Sequence, residues 1–237
     1  MKKNKLNSKM TRRQVLKAGM IGGAGMMLPL KFLPRKAFGQ ALIAKLSDPA
    51  MQPKFVNAVP NALDPGFMFK KNKFGVYRVG VGSTWQQTGL KKSNGQLAWT
   101  KLFGYGQKGQ YTWPGKTFEV NRAEGEVTVN WRNQLWGQKK HILPVDTNLH
   151  WAYSLNGYER FSIKRNGIPI ITHLHGGHTD FQFDGNPEWF YNPGNTVRGP
   201  SWQDEGIPFT TRFRYDVDVP AGNNWYHDHA LGLTRLN

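Results

Sequence analysis

Glu126-Val127-Thr128-Val129-Asn130-Trp131 alternates polar and apolar residues over its whole length. Successive side chains on a β-strand point to opposite faces, so Val127, Val129 and Trp131 turn to one side, as in a strand with one face on a core and the other in water. Glu124-Gly125 supplies turn chemistry just before it, and Thr117-Phe118-Glu119-Val120 alternates on the far side. The pattern therefore predicts an antiparallel pair about that turn. Outward from this pair, residues 74–82 alternate, and residues 98–105 form a second run after the turn Ser93-Asn94-Gly95. Residues 133–165 read as loops and short strands. Ile168 to His173 is β-branched, with Pro169 marking an edge or a strand start. Thr211 to Val217 alternates again, and Pro220 to Asn224 turns the chain into a last strand, Trp225 to His229. There is no internal repeat and no helix with a long apolar stripe. The expectation is an all-β sandwich of about eight short strands.

Two of those strands end in histidine pairs, His173-Leu174-His175 and His227-Asp228-His229. With 7 His in 237 residues, random placement gives only about 0.2 such pairs, so two of them call for a cause. On a strand, His-x-His aims both imidazoles to the same side. Four ligands then converge, and imidazole suits copper, zinc, iron and nickel. His141 and His150 are single histidines in polar surroundings and are expected not to bind metal. Between the pairs, residues 176–209 form a long stretch rich in Gly, Pro and Asn that includes Trp189, Phe190 and Trp202. A connection of that length in a compact domain is usually functional.

The formal charge of +17 resembles a nucleic-acid signal until it is divided along the chain. Residues 1–39 hold ten of the 32 Lys and Arg residues and no acid, leaving 22 against 15 acidic residues, a net of +7. No nucleic-acid motif accompanies that remainder, and a solvated basic surface accounts for it. The absence of Cys removes disulfides, thiolate zinc sites, thiol nucleophiles and any blue-copper centre from this chain.

The basic leader has its own reading. Thr11-Arg12-Arg13-Gln14-Val15-Leu16-Lys17 fits the twin-arginine export pattern, and Ala18 to Leu30 is a Gly- and Met-rich apolar run. That run is shorter than the roughly 20 residues a membrane span needs. Ala37-Phe38-Gly39 suits a signal peptidase. Residues 1–39 are thus expected to be a removed signal peptide, giving a periplasmic or extracellular protein without a stable membrane anchor. Residues 40–75, with Pro49, Pro53, Pro60 and Pro65, read as an extended lead-in whose apolar pieces pack on the domain.

A single-metal cupin is one candidate for the histidines. Its first motif places a Glu three or four residues after His-x-His, where this chain has His178 and Thr179, and Gly222 precedes His227 at the wrong spacing. The cupin pattern thus fails at its third ligand. The other candidate rests on more residues. Phe55-Val56-Asn57-Ala58-Val59-Pro60, Leu102-Phe103-Gly104-Tyr105 and Trp113-Pro114-Gly115-Lys116-Thr117-Phe118-Glu119 resemble successive segments of the multicopper oxidases, particularly the three-domain bacterial branch of spore-coat laccase and bilirubin oxidase. Val129-Asn130-Trp131-Arg132-Asn133-Gln134-Leu135 is similar to that family's Val-x-Trp-x-Asn-x-Leu, with Leu143-Pro144-Val145-Asp146 after it. The two histidine motifs follow, with Asp184-Gly185 and Pro187-Glu188 between them and Ala230 to Asn237 after them.

The resemblance covers about residues 52–237 and the first third of that family's chain. It implies a cupredoxin-like Greek-key β-sandwich whose four histidines are half of the set holding a trinuclear copper cluster. By this resemblance His173 serves type 2 copper, and His175, His227 and His229 serve the type 3 pair. Asp184 matches the family's acidic residue beside the cluster, which implies a proton relay; on its own sequence, Asp184-Gly185 reads equally as a turn. Asp228 points away from the copper side and is expected to support its neighbours. The implied chemistry couples oxidation of phenolic, bilirubin-like or metal-ion donors to reduction of dioxygen to water. The second and third cupredoxin domains, with the Cys-containing type 1 site and the other ligands, fall outside this sequence, so the chain is expected to be a truncated part that is inactive alone. A non-catalytic exported cupredoxin-like protein would not need all four histidines. A copper carrier would be richer in Met than a mature chain holding only Met51 and Met68.

Overall fold

Val127, Val129 and Trp131 do form one face of a strand, and that strand lies inside a mixed sheet. The computed structural model describes residues 48–143 and 162–230. Among these are seven strands: β1 Tyr77–Lys91, β2 Leu97–Gln107, β3 Gln110–Thr112, β4 Glu126–Asn133, β5 Thr172–Leu174, β6 Arg212–Asp216 and β7 Tyr226–Asp228. Two single-turn helices, α1 Ile163–Asn166 and α2 Ser201–Asp204, and several 3-10 turns join them. The first sheet has the order β3-β2-β1-β4-β6, and the second pairs β5 with β7. Among the described residues no helix is long and apolar enough to cross a membrane.

The inward face of the large sheet follows from alternation. Val79 lies opposite Trp131, Val129 opposite Phe213, Val127 opposite Tyr215 and Val81 opposite Tyr105. All eight are buried. Each side chain of this size contributes about 1.5–3 kcal/mol when removed from water. Some of the polar tips within this core find partners. Trp131 donates its indole N–H to the Tyr215 hydroxyl at 2.8 Å, and Tyr191 donates to the Trp131 carbonyl at 3.2 Å.

The small sheet packs one face on this core through Tyr226, whose ring lies edge-on to Tyr105 at 5.0 Å and tilted against Trp131 at 5.8 Å. Asn133 ties the end of β4 to the segment leading into β5. It donates to the carbonyls of Ile168 at 2.8 Å and Tyr191 at 3.1 Å and accepts from the Leu135 amide at 3.2 Å. The stretch after β5 is well packed, since Phe183, Trp189, Phe190, Tyr191 and Trp202 all enter the core. Arg214 on β6 holds it further, pairing with Asp180 at 2.6 Å.

Several expectations change. Thr117 to Val120 does not pair with β4; Thr117 bridges Met68 instead, and β4 runs parallel to β1 and antiparallel to β6. The predicted turn Glu124-Gly125 closes a 3-10 turn capped reciprocally by Asn121 and Glu124, which redirects the chain rather than folding it back on itself. β1 is 15 residues long because β2 follows it through the Ser93-Asn94-Gly95 turn, with Gly95 at φ 80. Among the described residues of the lead-in, 48–75, only Phe69 is buried, while Phe55, Val56, Val59 and Leu63 remain exposed, so these four do not pack on the domain as expected. Thr172–Leu174 is shorter than the predicted run from Ile168, whose Pro169 lacks the N–H a longer ladder needs. Residues 1–47, His150, Pro144 to Asp146 and Leu231 to Asn237 lie outside the described residues.

Candidate metal centre

The small sheet is short, but its register determines the site. His173 lies opposite His227 in the antiparallel pair. The His175 amide donates to the Trp225 carbonyl at 2.9 Å, and the His229 amide donates to the Ile171 carbonyl at 2.7 Å, extending the ladder one residue at each end. By alternation His173, His175, Trp225, His227 and His229 share one face. Thr172, Leu174, Tyr226 and Asp228 take the other, toward the core. The sequence expectation that both pairs aim into one space therefore holds.

His173 stands in the middle. Its ring centroid is 5.5 Å from His175, 5.4 Å from His227 and 5.2 Å from His229. His227 is 5.8 Å from His175 and 5.5 Å from His229. One ring nitrogen from each of His173, His175 and His227 lies within 4.8 Å of the others, a group that could hold a metal ion.

Backbone carbonyls fix the tautomers. His173 Nδ1 hydrogen-bonds the Asp184 carbonyl, and His227 Nδ1 hydrogen-bonds the Asp228 carbonyl at 2.8 Å. A carbonyl oxygen only accepts, so each Nδ1 carries the hydrogen and each Nε2 keeps its lone pair free for a metal. Burial, followed by the charge of His173, His229 and His175, lowers the pKa of His227, opposed by its bond to the Asp228 carbonyl. That favours the neutral, ligating imidazole. Buried His227 Nε2 and His229 Nδ1 have no hydrogen-bond partner among the described residues. Leaving a buried polar atom unsatisfied costs about 1–3 kcal/mol. A bound cation would remove that cost, so the donor set fits a metal that accepts imidazole nitrogen.

Asp184 is close to the site, though chiefly through its backbone. Its carboxylate is 3.4 Å from His173 Nδ1 and half exposed, while its carbonyl makes the tighter contact. Gly185 makes this approach feasible. Its φ is +84, and a Cβ there would fall 2.5 Å from the Cβ of His173. Asp184-Gly185 is thus a turn whose Asp184 carbonyl contacts His173, and the sequence pattern gave no sign that the carbonyl would be the group in contact.

Asp228, fully buried on the core side, accepts from the Ala230 amide at 2.7 Å, so it supports the strand end as expected. His178, at a cupin Glu position, pairs with Asp218 at 3.0 Å instead of joining the cluster. His141 is also outside the group, and burial lowers its pKa to about 4. Trp225 was not singled out from sequence, although its position two residues before His227 signals that it shares the histidine face.

No family model matches the chain. Curated proteins do match it. Multicopper oxidase LPR2 of Arabidopsis thaliana is 33% identical over 186 residues, 77% of this chain and 26% of that protein. A laccase of Bacillus subtilis is 33% identical over 186 residues, 78% of this chain and 31% of that protein. Multicopper oxidase LPR1 of Arabidopsis thaliana is 37% identical over 147 residues, 62% of this chain and 22% of that protein. The chain matches part of a multicopper oxidase. It spans between about a fifth and a third of the length of these relatives. Among the described residues, two β-sheets with few helices present a cluster of imidazoles on one face.

Proposed function

We propose that this chain is the first, cupredoxin-like domain of a laccase-like oxidase and supplies one wall of a trinuclear copper cluster. The observation that carries this reading is the antiparallel register of His173 against His227, which gathers four imidazoles on a single face with two buried nitrogens left without a partner among the described residues. Copper bound there would supply the electron-transfer chemistry that takes dioxygen to water. His173 would hold type 2 copper, and His175, His227 and His229 would hold the type 3 pair. The Asp184 and Asp228 carbonyls hold the Nδ1 of His173 and His227, which leaves each Nε2 free to ligate. The Asp184 carboxylate, half exposed and 3.4 Å from His173 Nδ1, would pass protons toward the site.

Four histidines cannot saturate three coppers. The remaining ligands and the type 1 site would come from further cupredoxin domains, in keeping with relatives three to five times as long as the matched region. The electron donor, whether phenolic, bilirubin-like or a metal ion, would be oxidised there and not on this chain. Export by the twin-arginine route to the periplasm or beyond completes the reading, resting on Arg12 and Arg13 and the apolar run after them.

The test is to add copper(II) to the purified full chain under air with a phenolic donor. The expected result is a copper signal coupled to imidazole nitrogen, no intense thiolate-to-copper absorption and no phenol oxidation. Phenol oxidation by the chain alone would overturn the assignment of the other ligands to further domains. Copper bound without imidazole coupling would overturn the site itself.

A further inference from the structure

The ligand face carries a fifth side chain. In the extended ladder the cross-strand pairs are Ile171 with His229, His173 with His227, and His175 with Trp225. Trp225 therefore occupies the place in the β7 row where alternation would set another ligand, yet an indole nitrogen is a donor only and cannot ligate. Its ring stacks on His227 at 4.1 Å and 30° and on His175 at 4.9 Å and 26°. One aromatic plane thus contacts two imidazoles that come from different strands and lie 5.8 Å apart. His175 is the exposed member of the cluster, and the carbonyl contacts that orient His173 and His227 have no counterpart on it among the described residues.

We propose that Trp225 is a positioning residue that holds His175 and His227 at their ligating separation, an inference that rests on the copper reading above. A stacked plane restricts how each imidazole rotates about its terminal torsion, which is broad in an unrestrained His. Ordering the two rings before the metal arrives lowers the entropy lost on binding. Trp225 is itself half exposed, so its face toward the rings, and not its contribution to the core, is what the site uses.

The test compares wild-type full chain with Trp225→Phe, which keeps an aromatic face, and Trp225→Leu, which keeps apolar bulk without one. In metal-free protein, the ring C–H resonances of His175 and His227 should lie upfield from indole shielding, move partway back in Trp225→Phe, and return to ordinary positions in Trp225→Leu. In chelator competition, copper(II) affinity should fall about tenfold in Trp225→Leu, the scale of two lost aromatic contacts, and about threefold or less in Trp225→Phe. Histidine resonances and copper(II) affinity unchanged in Trp225→Leu would overturn the inference while leaving the copper reading in place. A wild-type chain that binds no copper would overturn the copper reading, and the metal-free resonances would still decide whether Trp225 orders the pair.

Discussion

Replacing Gly185 by Ala tests how the turn after β5 builds the site. The new Cβ would meet the His173 Cβ at 2.5 Å, its Cα at 2.7 Å and its backbone nitrogen at 3.0 Å, on a backbone with φ +84. The left-handed conformation costs about 1–2 kcal/mol for a non-glycine residue, and overpacking adds about 1–3 kcal/mol. Two other glycines separate these effects: Gly75 at φ +73 and Gly176 at φ +78 have no atom of the described residues within 4 Å of an added Cβ. Gly75→Ala and Gly176→Ala should show the conformational cost alone. Gly185→Ala should be worse than either by about 1–3 kcal/mol, a further fall in Tm of roughly 2–12 °C for a chain of this size. Because the overlap pushes the turn off His173, the bond from His173 Nδ1 to the Asp184 carbonyl should also break. Nitrogen-15 spectra of the imidazole would then show a mixture of tautomers in place of the Nδ1–H form. If Gly185→Ala unfolds with Gly75→Ala and keeps the Nδ1–H tautomer, the close approach of turn and histidine is refuted.

Asn133→Ala removes three hydrogen bonds from a buried side chain, and at about 1 kcal/mol each it should lower Tm by roughly 6–12 °C; a change under 2 °C by thermal melting would refute its role as a tie. His141, lowered to about 4 by burial, takes up its proton more readily unfolded than folded. Its contribution to stability is complete above about pH 6.5 and is lost as pH falls toward 4. Melts of wild type and His141→Asn should differ in pH slope across that window, and parallel slopes would contradict the assignment. Replacing Arg12 and Arg13 by Lys should leave the precursor in the cytoplasm in a fractionation assay, whereas unchanged export would refute the twin-arginine reading.

Much of the site was legible because alternation in a strand is a local rule. His173 and His175, like His227 and His229, had to share a side once their segments were extended, and nearby Tyr226 and Asp228 had to face the opposite way. The large-sheet face of Val127, Val129 and Trp131 was legible for the same reason. Partner choice was less so. Thr117 to Val120 alternates convincingly, but pairing is decided by where the chain can reach, and the capped 3-10 turn at Arg122–Glu124 sends β4 between β1 and β6. Contacts through backbone atoms left no trace in residue identity: Asp184 was noticed for its carboxylate, while its carbonyl orients His173. The packing of Trp189, Tyr191 and Trp202 under the long connection was hidden too, since Gly, Pro and Asn in that stretch signal turns without indicating which aromatic residues face inward.

The most direct test of the central claim is pulsed EPR on the copper(II)-loaded full chain, counting the imidazole nitrogens coupled to copper in wild type, His173→Ala, His227→Ala and His178→Ala. Coupling to at least two imidazoles in wild type and in His178→Ala, reduced or lost in His173→Ala and His227→Ala, is the predicted result. The same coupling in all four proteins would place the copper elsewhere and contradict the account.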